Sequence, residues 1–146
     1  MDCVFCTLIR ENSARWIARR AAACAFAPLT PLAPGHTLVV PTDHYQDLFD
    51  IPRDTVAATM ALAQEVAEAM RFTLKASGVN LLHASGPGSE QSVPHFHIHV
   101  VPRWPDDGFS TWPKEQSAHR VPADPVLQLA AAMKAQHLTG SFASSC

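Results

Sequence analysis

His95-Phe-His-Ile-His-Val-Val-Pro102 is the stretch that decides how this chain is read. Histidine alternates with apolar residues at a period of two, the pattern of a strand with one face buried. The spacing predicts a strand over 95–102, with Phe96, Ile98 and Val100 toward a core. His95, His97 and His99 then share the opposite face, each about 6–7 Å from the next. A row of imidazoles has two chemical uses. Neighbouring rings can share a metal ion, because histidine is a common zinc ligand. Alternatively, one ring attacks as a nucleophile while the others hold anionic oxygens. Phosphorus chemistry suits the second use. A neutral imidazole forms a covalent N–P bond, which water then hydrolyses, while N–H and O–H donors stabilise the equatorial oxygens. The preceding segment, Gly86-Pro-Gly-Ser-Glu-Gln-Ser92, favours this use. Its backbone N–H groups can form a concave anion site, and Ser92 can donate to a phosphoryl oxygen.

Working outward, the remaining elements follow from periodicity and punctuation. Residues 54–77 carry the clearest helical pattern. Val56, Met60, Ala63, Ala67, Met70 and Leu74 recur at spacings of three and four and define an apolar stripe. Both methionines read as core filling, Asp54 as the cap and Gly78 as the stop. Phe72 lies off the stripe and is either an interface residue or an exposed aromatic. Strands are expected over 21–27, 36–41 and 79–85, and a short helix or turn over 3–11. Prolines at 28, 31 and 34 make 28–34 a loop. Residues 105–125 read as mostly irregular, and Trp104 and Trp112 either border the site or pack locally. A second helix is expected over 124–137, capped by Asp124 with Pro125 at its first position, and a loose tail over 138–146. Short strand separations with one long helix define the α+β class: an antiparallel sheet of about five strands, helices packed on one side, in a single domain over 1–146.

Composition narrows the function. Of 146 residues, 47% are hydrophobic and 16% charged, which excludes a disordered chain. The net charge is −2, and only Arg19-Arg20 resembles a basic patch, so a nucleic-acid duplex is not the expected partner. No run approaches the ~20 apolar residues of a membrane span. The Met-Asp-Cys start lacks a secretory leader, and the expected location is cytoplasmic. There the four cysteines are metal ligands or plain thiols. Cys24 reads as a buried thiol and Cys146 as a tail residue.

The motif His95-Phe-His97-Ile-His99-Val-Val, the lead-in Gln91-Ser92-Val93, the segment Pro34-Gly-His36-Thr-Leu-Val-Val-Pro41 with His44 after it, and Cys3-Val-Phe-Cys6 together resemble the histidine triad family of nucleotide hydrolases and transferases. The resemblance spans about Cys3 to Trp112. It implies that His97 is the nucleophile accepting a phosphoryl or nucleotidyl group. It implies that His99, Ser92 and the backbone near Gln91 hold the phosphate, and that His36 sets the His97 tautomer. It also implies the structural zinc of the bacterial branch, bound by Cys3, Cys6, His44 and His95, and a homodimer. The implied substrate is a nucleoside phosphoramidate or a dinucleoside polyphosphate. Three positions depart from the family pattern: Pro28 replaces an acidic ribose ligand, Ala84 beside His83 replaces an asparagine, and Glu90 replaces a glycine. Two other readings compete. One is an enzyme with a catalytic metal on His95, His97 and perhaps His99. The other is a nucleotide-binding or regulatory protein with little turnover.

Overall fold

The computed structural model describes residues 2–140, with 138–140 by backbone alone. In chain order the elements are α1 (Val4–Glu11), β1 (Trp16–Arg19), β2 (Ala23–Phe26), β3 (Thr37–Pro41), α2 (Arg53–Thr73), β4 (Gly78–Leu82), β5 (Ile98–Arg103) and α3 (Pro125–Gly140). The strands form one five-stranded sheet in the order β1-β2-β3-β5-β4, and every pairing is antiparallel. This is the α+β class expected from the sequence. Among the described residues, those up to Thr111 form one compact unit and those from Trp112 a second. The first holds all five strands, α1, α2 and every candidate site residue.

Apolar layers cover both faces of the sheet, where helices were expected on one side. Ala23, Ala25, Val39, Phe96, Ile98 and Val100 pack against Leu62, Ala63, Val66 and Met70 of α2. On the reverse face, Cys24, Phe26, Leu38 and Val40 pack against Phe5 of α1. Period-two alternation explains the split, since neighbouring residues of one strand point to opposite faces. All of β2 and β3 is therefore buried.

Local differences have local causes. The strand β1 went unanticipated because its four residues, Trp-Ile-Ala-Arg, alternate too briefly to stand out. The long helix buries Thr59, Leu62, Ala63, Val66 and Met70, whereas Met60 is exposed. Thr59 fits the core because its hydroxyl donates to Thr55 O at 2.8 Å inside the helix. Asp54 lies in the first turn after the cap, Pro52. The helix stops before Gly78, because Lys75 takes the left-handed turn (φ 56°) and Ala76 N–H reaches back to Met70 O. At the C-terminal helix, Asp124 Oδ1 accepts from Val126 N at 2.9 Å, the cap expected there. That helix continues to Gly140, so the expected tail is helical over 138–140 and otherwise lies, with Cys146, outside the described residues.

Candidate active site and metal centre

The histidine strand starts later than its pattern suggests. The ladder to β3 ends at Val39 opposite Ile98, and residues 95–97 leave the sheet. There Phe96 N–H donates to Tyr45 O at 2.7 Å. The alternation nonetheless persists. Phe96, Ile98 and Val100 enter the α2 core. His95 and His97 turn toward Phe5 on the other face, and the His97 and His99 rings lie 5.0 Å apart.

Backbone carbonyls and amides set the protonation of each ring, because a carbonyl only accepts and an amide N–H only donates. His97 Nδ1–H donates to His95 O at 2.7 Å, leaving the Nε2 lone pair free. Leu32 N–H donates to His36 Nδ1 at 3.0 Å, so His36 carries its proton on Nε2. That Nε2–H donates to His99 Nδ1 at 2.9 Å, so neutral His99 keeps its proton on Nε2. His36 was expected to set the tautomer of His97; it sets that of His99. Gly35 (φ 86°) turns the chain into His36, and a Cβ at that position would meet Leu74 Cδ1 at 2.5 Å. Burial holds His36 and His97 below the ordinary histidine range, and it takes His99 to about 4. All three rings are therefore neutral at pH 7.

His36, His97, His99 and Ser92 line one cavity of about 590 Å³, with an apolar wall that includes Phe5, Leu8 and Leu38. His97, Ser92 and His99 thus line one open cavity large enough for a nucleotide-sized ligand. Pro28 lines the same cavity and offers no acceptor side chain. Glu90 is exposed and does not line it, so its charge is directed elsewhere. The side chain of Gln91 is spent on the loop: Oε1 accepts from Gly86 N, and Nε2 donates to Gln46 O and Val93 O. Trp104 packs against the α2 core and donates to Leu74 O, while Trp112 falls in the second unit.

His95 takes part in a different cluster. Its Nε2–H donates to Pro41 O at 3.0 Å, which leaves Nδ1 as a lone pair. That nitrogen lies 3.4 Å from Cys3 Sγ and 3.6 Å from Cys6 Sγ, and His44 Nδ1 lies 3.3 Å from Cys6 Sγ. All four ligand atoms fall within 4.8 Å of one another. A tetrahedral zinc, with Zn–S near ~2.3 Å and Zn–N near ~2.0–2.1 Å, sets its S···N edges at about 3.6 Å. Burial, reinforced by the adjacent Cys3, pushes the Cys6 thiol up to about 11. A metal ligand must be the thiolate, so a bound cation supplies what ionises Cys6. Burial lowers His95 to about 4, which keeps its nitrogen unprotonated as a ligand must be. Donor set, spacing and protonation all fit zinc.

Two residues near the site escaped the sequence reading. His83 Nδ1–H donates to His97 O at 2.7 Å, and its Nε2 accepts from Ser85 Oγ at 2.5 Å. Ser85 Oγ in turn accepts from Leu48 N–H at 2.8 Å, and the His83 ring lies 4.4 Å from that of Phe96. Nothing in the sequence around His83 marks it beyond its place beside Ala84. The other residue is Arg15, at the edge of the cavity. A lone arginine before a short strand carries no sequence signal.

These features define a class: an α+β sheet protein with neutral imidazoles lining a cavity beside a Cys2His2 cluster. The chain belongs to the histidine triad (HIT) family, since the HIT domain model matches residues 10–106. An uncharacterised HIT-like protein of Saccharolobus solfataricus is 33% identical over 106 residues, covering 72% of this chain and 76% of that protein. A zinc-bound histidine triad family protein from Mycobacterium smegmatis is 34% identical with a TM-score of 0.72, covering 90% of this chain and 98% of that one. A HIT family protein from Bacillus anthracis is 26% identical with a TM-score of 0.72, covering 99% and 97%. Membership supports a nucleotide-related hydrolase or transferase at the level of the superfamily. Among the described residues, no helix is long and apolar enough to cross a membrane.

Proposed function

We propose that the protein is a nucleotide hydrolase or nucleotidyl transferase that works through a covalent phospho-histidine at His97. The observation that carries this reading is the bond from His97 Nδ1–H to His95 O, which aims an unprotonated Nε2 into the cavity. Nε2 attacks phosphorus, the leaving group departs, and water or another acceptor then takes the group from the ring. His99 Nε2–H, held by His36, and the Ser92 hydroxyl donate to the phosphoryl oxygens as their charge develops. The substrate is a nucleoside phosphoramidate or a dinucleoside polyphosphate.

In this reading Cys3, Cys6, His44 and His95 hold a structural zinc that ties the start of α1 to the segments around β3 and β5. A metal shared by His95, His97 and His99 is disfavoured, because His95 Nδ1 faces the cysteines. The reading extends to a homodimer in the cytoplasm. Phe72 stands exposed on α2, and among the described residues Cys3, Cys6 and Cys24 form no disulfide, as suits a reducing compartment.

The test is turnover of adenosine 5′-phosphoramidate and of diadenosine tetraphosphate, with rapid quenching and mass analysis of the protein. We expect an acid-labile nucleotidyl adduct on His97, and its loss with turnover in His97→Asn. Wild-type turnover by that variant on both compounds refutes the nucleophile. Nucleotide binding without hydrolysis by the wild type indicates the regulatory alternative.

A further inference from the structure

The cavity holding His97 meets a second one, of about 530 Å³, lined among others by Trp16, Ile17, Pro31 and Gly35. The two share Arg15, Ala27, Pro28, Leu29 and His36. No aspartate or glutamate lines either cavity, and Arg15 is the one lining residue with a permanent charge. Its neighbours on the β1 hairpin are engaged: Arg19 bonds Asn12 and Ile9 O, and Arg20 pairs with Glu65. Among the described residues the Arg15 guanidinium has no hydrogen-bond or ion-pair partner. Arg15, an exposed arginine, thus borders two ligand-sized spaces that have no carboxylate among their lining residues.

We propose that Arg15 is an anion subsite for a second negative group of the substrate, beyond the phosphorus attacked by His97. It selects phosphoanhydrides, whose leaving group is itself a phosphate chain, over phosphoramidates, whose leaving group is an amine. This inference rests on the phospho-histidine reading and narrows its substrate class.

The chemistry of departure argues the same way. In an anhydride, His97 Nε2 forms the N–P bond as the bridging P–O bond breaks, and the electron pair leaves on the phosphate oxygen. That oxygen needs charge compensation rather than a proton, and a guanidinium supplies it through charge-assisted hydrogen bonds. Water's oxygen then bonds to phosphorus as the N–P bond breaks. The pair returns to Nε2 and the water's proton passes to solvent. An amine leaving group must instead be protonated as it departs, and no carboxylic acid lines the cavity. Neutral His99 donates a hydrogen bond without offsetting a full charge, and the single N–H of neutral His36 is already spent on His99.

The experiment compares the full-length wild type with Arg15→Gln and Arg15→Lys on diadenosine tetraphosphate and on adenosine 5′-phosphoramidate. Loss of a charge-assisted bond predicts at least about a tenfold fall in kcat/KM for the tetraphosphate in Arg15→Gln. The phosphoramidate is expected to stay within about twofold, and Arg15→Lys to recover part of the loss. An equal fall on both substrates, or none on the tetraphosphate, overturns the subsite. If His97→Asn is inactive while Arg15→Gln shows no selectivity, the nucleophile stands and the Arg15 subsite fails alone. If neither compound is turned over, calorimetry decides. ADP must bind the wild type about tenfold tighter than AMP, and Arg15→Gln must erase the difference; equal affinities overturn the proposal.

Discussion

The consequence of removing one ligand from the Cys2His2 cluster can be worked out from its geometry. Cys6 Sγ lies 3.3 Å from His44 Nδ1 and 3.6 Å from His95 Nδ1, so it forms two edges of the tetrahedron at once. In Cys6→Ser a poor ligand replaces the thiolate, and a closed four-ligand site becomes an open three-ligand one. A metal that binds only the folded state adds about 4 kcal/mol at a free concentration a thousandfold above its Kd. For a unit of 111 residues, a melting temperature moves by about 4 °C per kcal/mol, so removal costs about 15 °C. The assay is scanning calorimetry of wild type and Cys6→Ser, each with and without a chelator, alongside elemental analysis for zinc. We expect near-stoichiometric zinc in the wild type. We also expect a chelator-induced fall approaching the variant's deficit, and little chelator effect on the variant. Metal-free wild-type protein, or wild-type melts that superimpose with and without chelator, would refute the reasoning.

Two further predictions concern the histidines. His83→Phe keeps a ring against Phe96 but loses the bond to His97 O; kcat is expected to fall about tenfold with KM nearly unchanged, as steady-state kinetics can establish. A loss carried by KM instead would assign His83 to substrate binding. Burial lowers His99 from 6.5 to about 4, so below pH 6.5 the unfolded chain takes up this proton before the folded one does. Its contribution to stability is present above pH 6.5 and is lost as the pH falls toward 4. Denaturant midpoints measured over that range should decline and flatten in His99→Asn; a wild-type midpoint that rises on acidification contradicts the assignment.

Much of this protein is decided by local pattern. Alternation over residues 95–100 separated the imidazoles from Phe96, Ile98 and Val100 whatever the ladder did, because adjacent side chains of extended backbone point opposite ways. Apolar runs between prolines and glycines made β2, β3 and β4 visible, and apolar spacings of three and four the long helix. Cys3, Cys6, His44 and His95 were grouped through a resemblance rather than through their spacing, and the fold brings their ligand atoms together.

Other features existed only once the chain was folded. The tautomers of His36, His97 and His99 depend on hydrogen bonds to Leu32 N, His95 O and one another, and no composition or period encodes such bonds. The role of His83 depends on a loop 35 residues earlier supplying Leu48 N–H to Ser85. Thr59 replaced Met60 in the core because a hydroxyl satisfied inside its own helix is cheap to bury. Arg15 gained meaning when two cavities met beside it. Sequence determines which faces are apolar and which atoms can react, since both are properties of short stretches of chain. Which nitrogen keeps its proton, and which charge stands alone, depends on partners distant in sequence, and only tertiary structure chooses them.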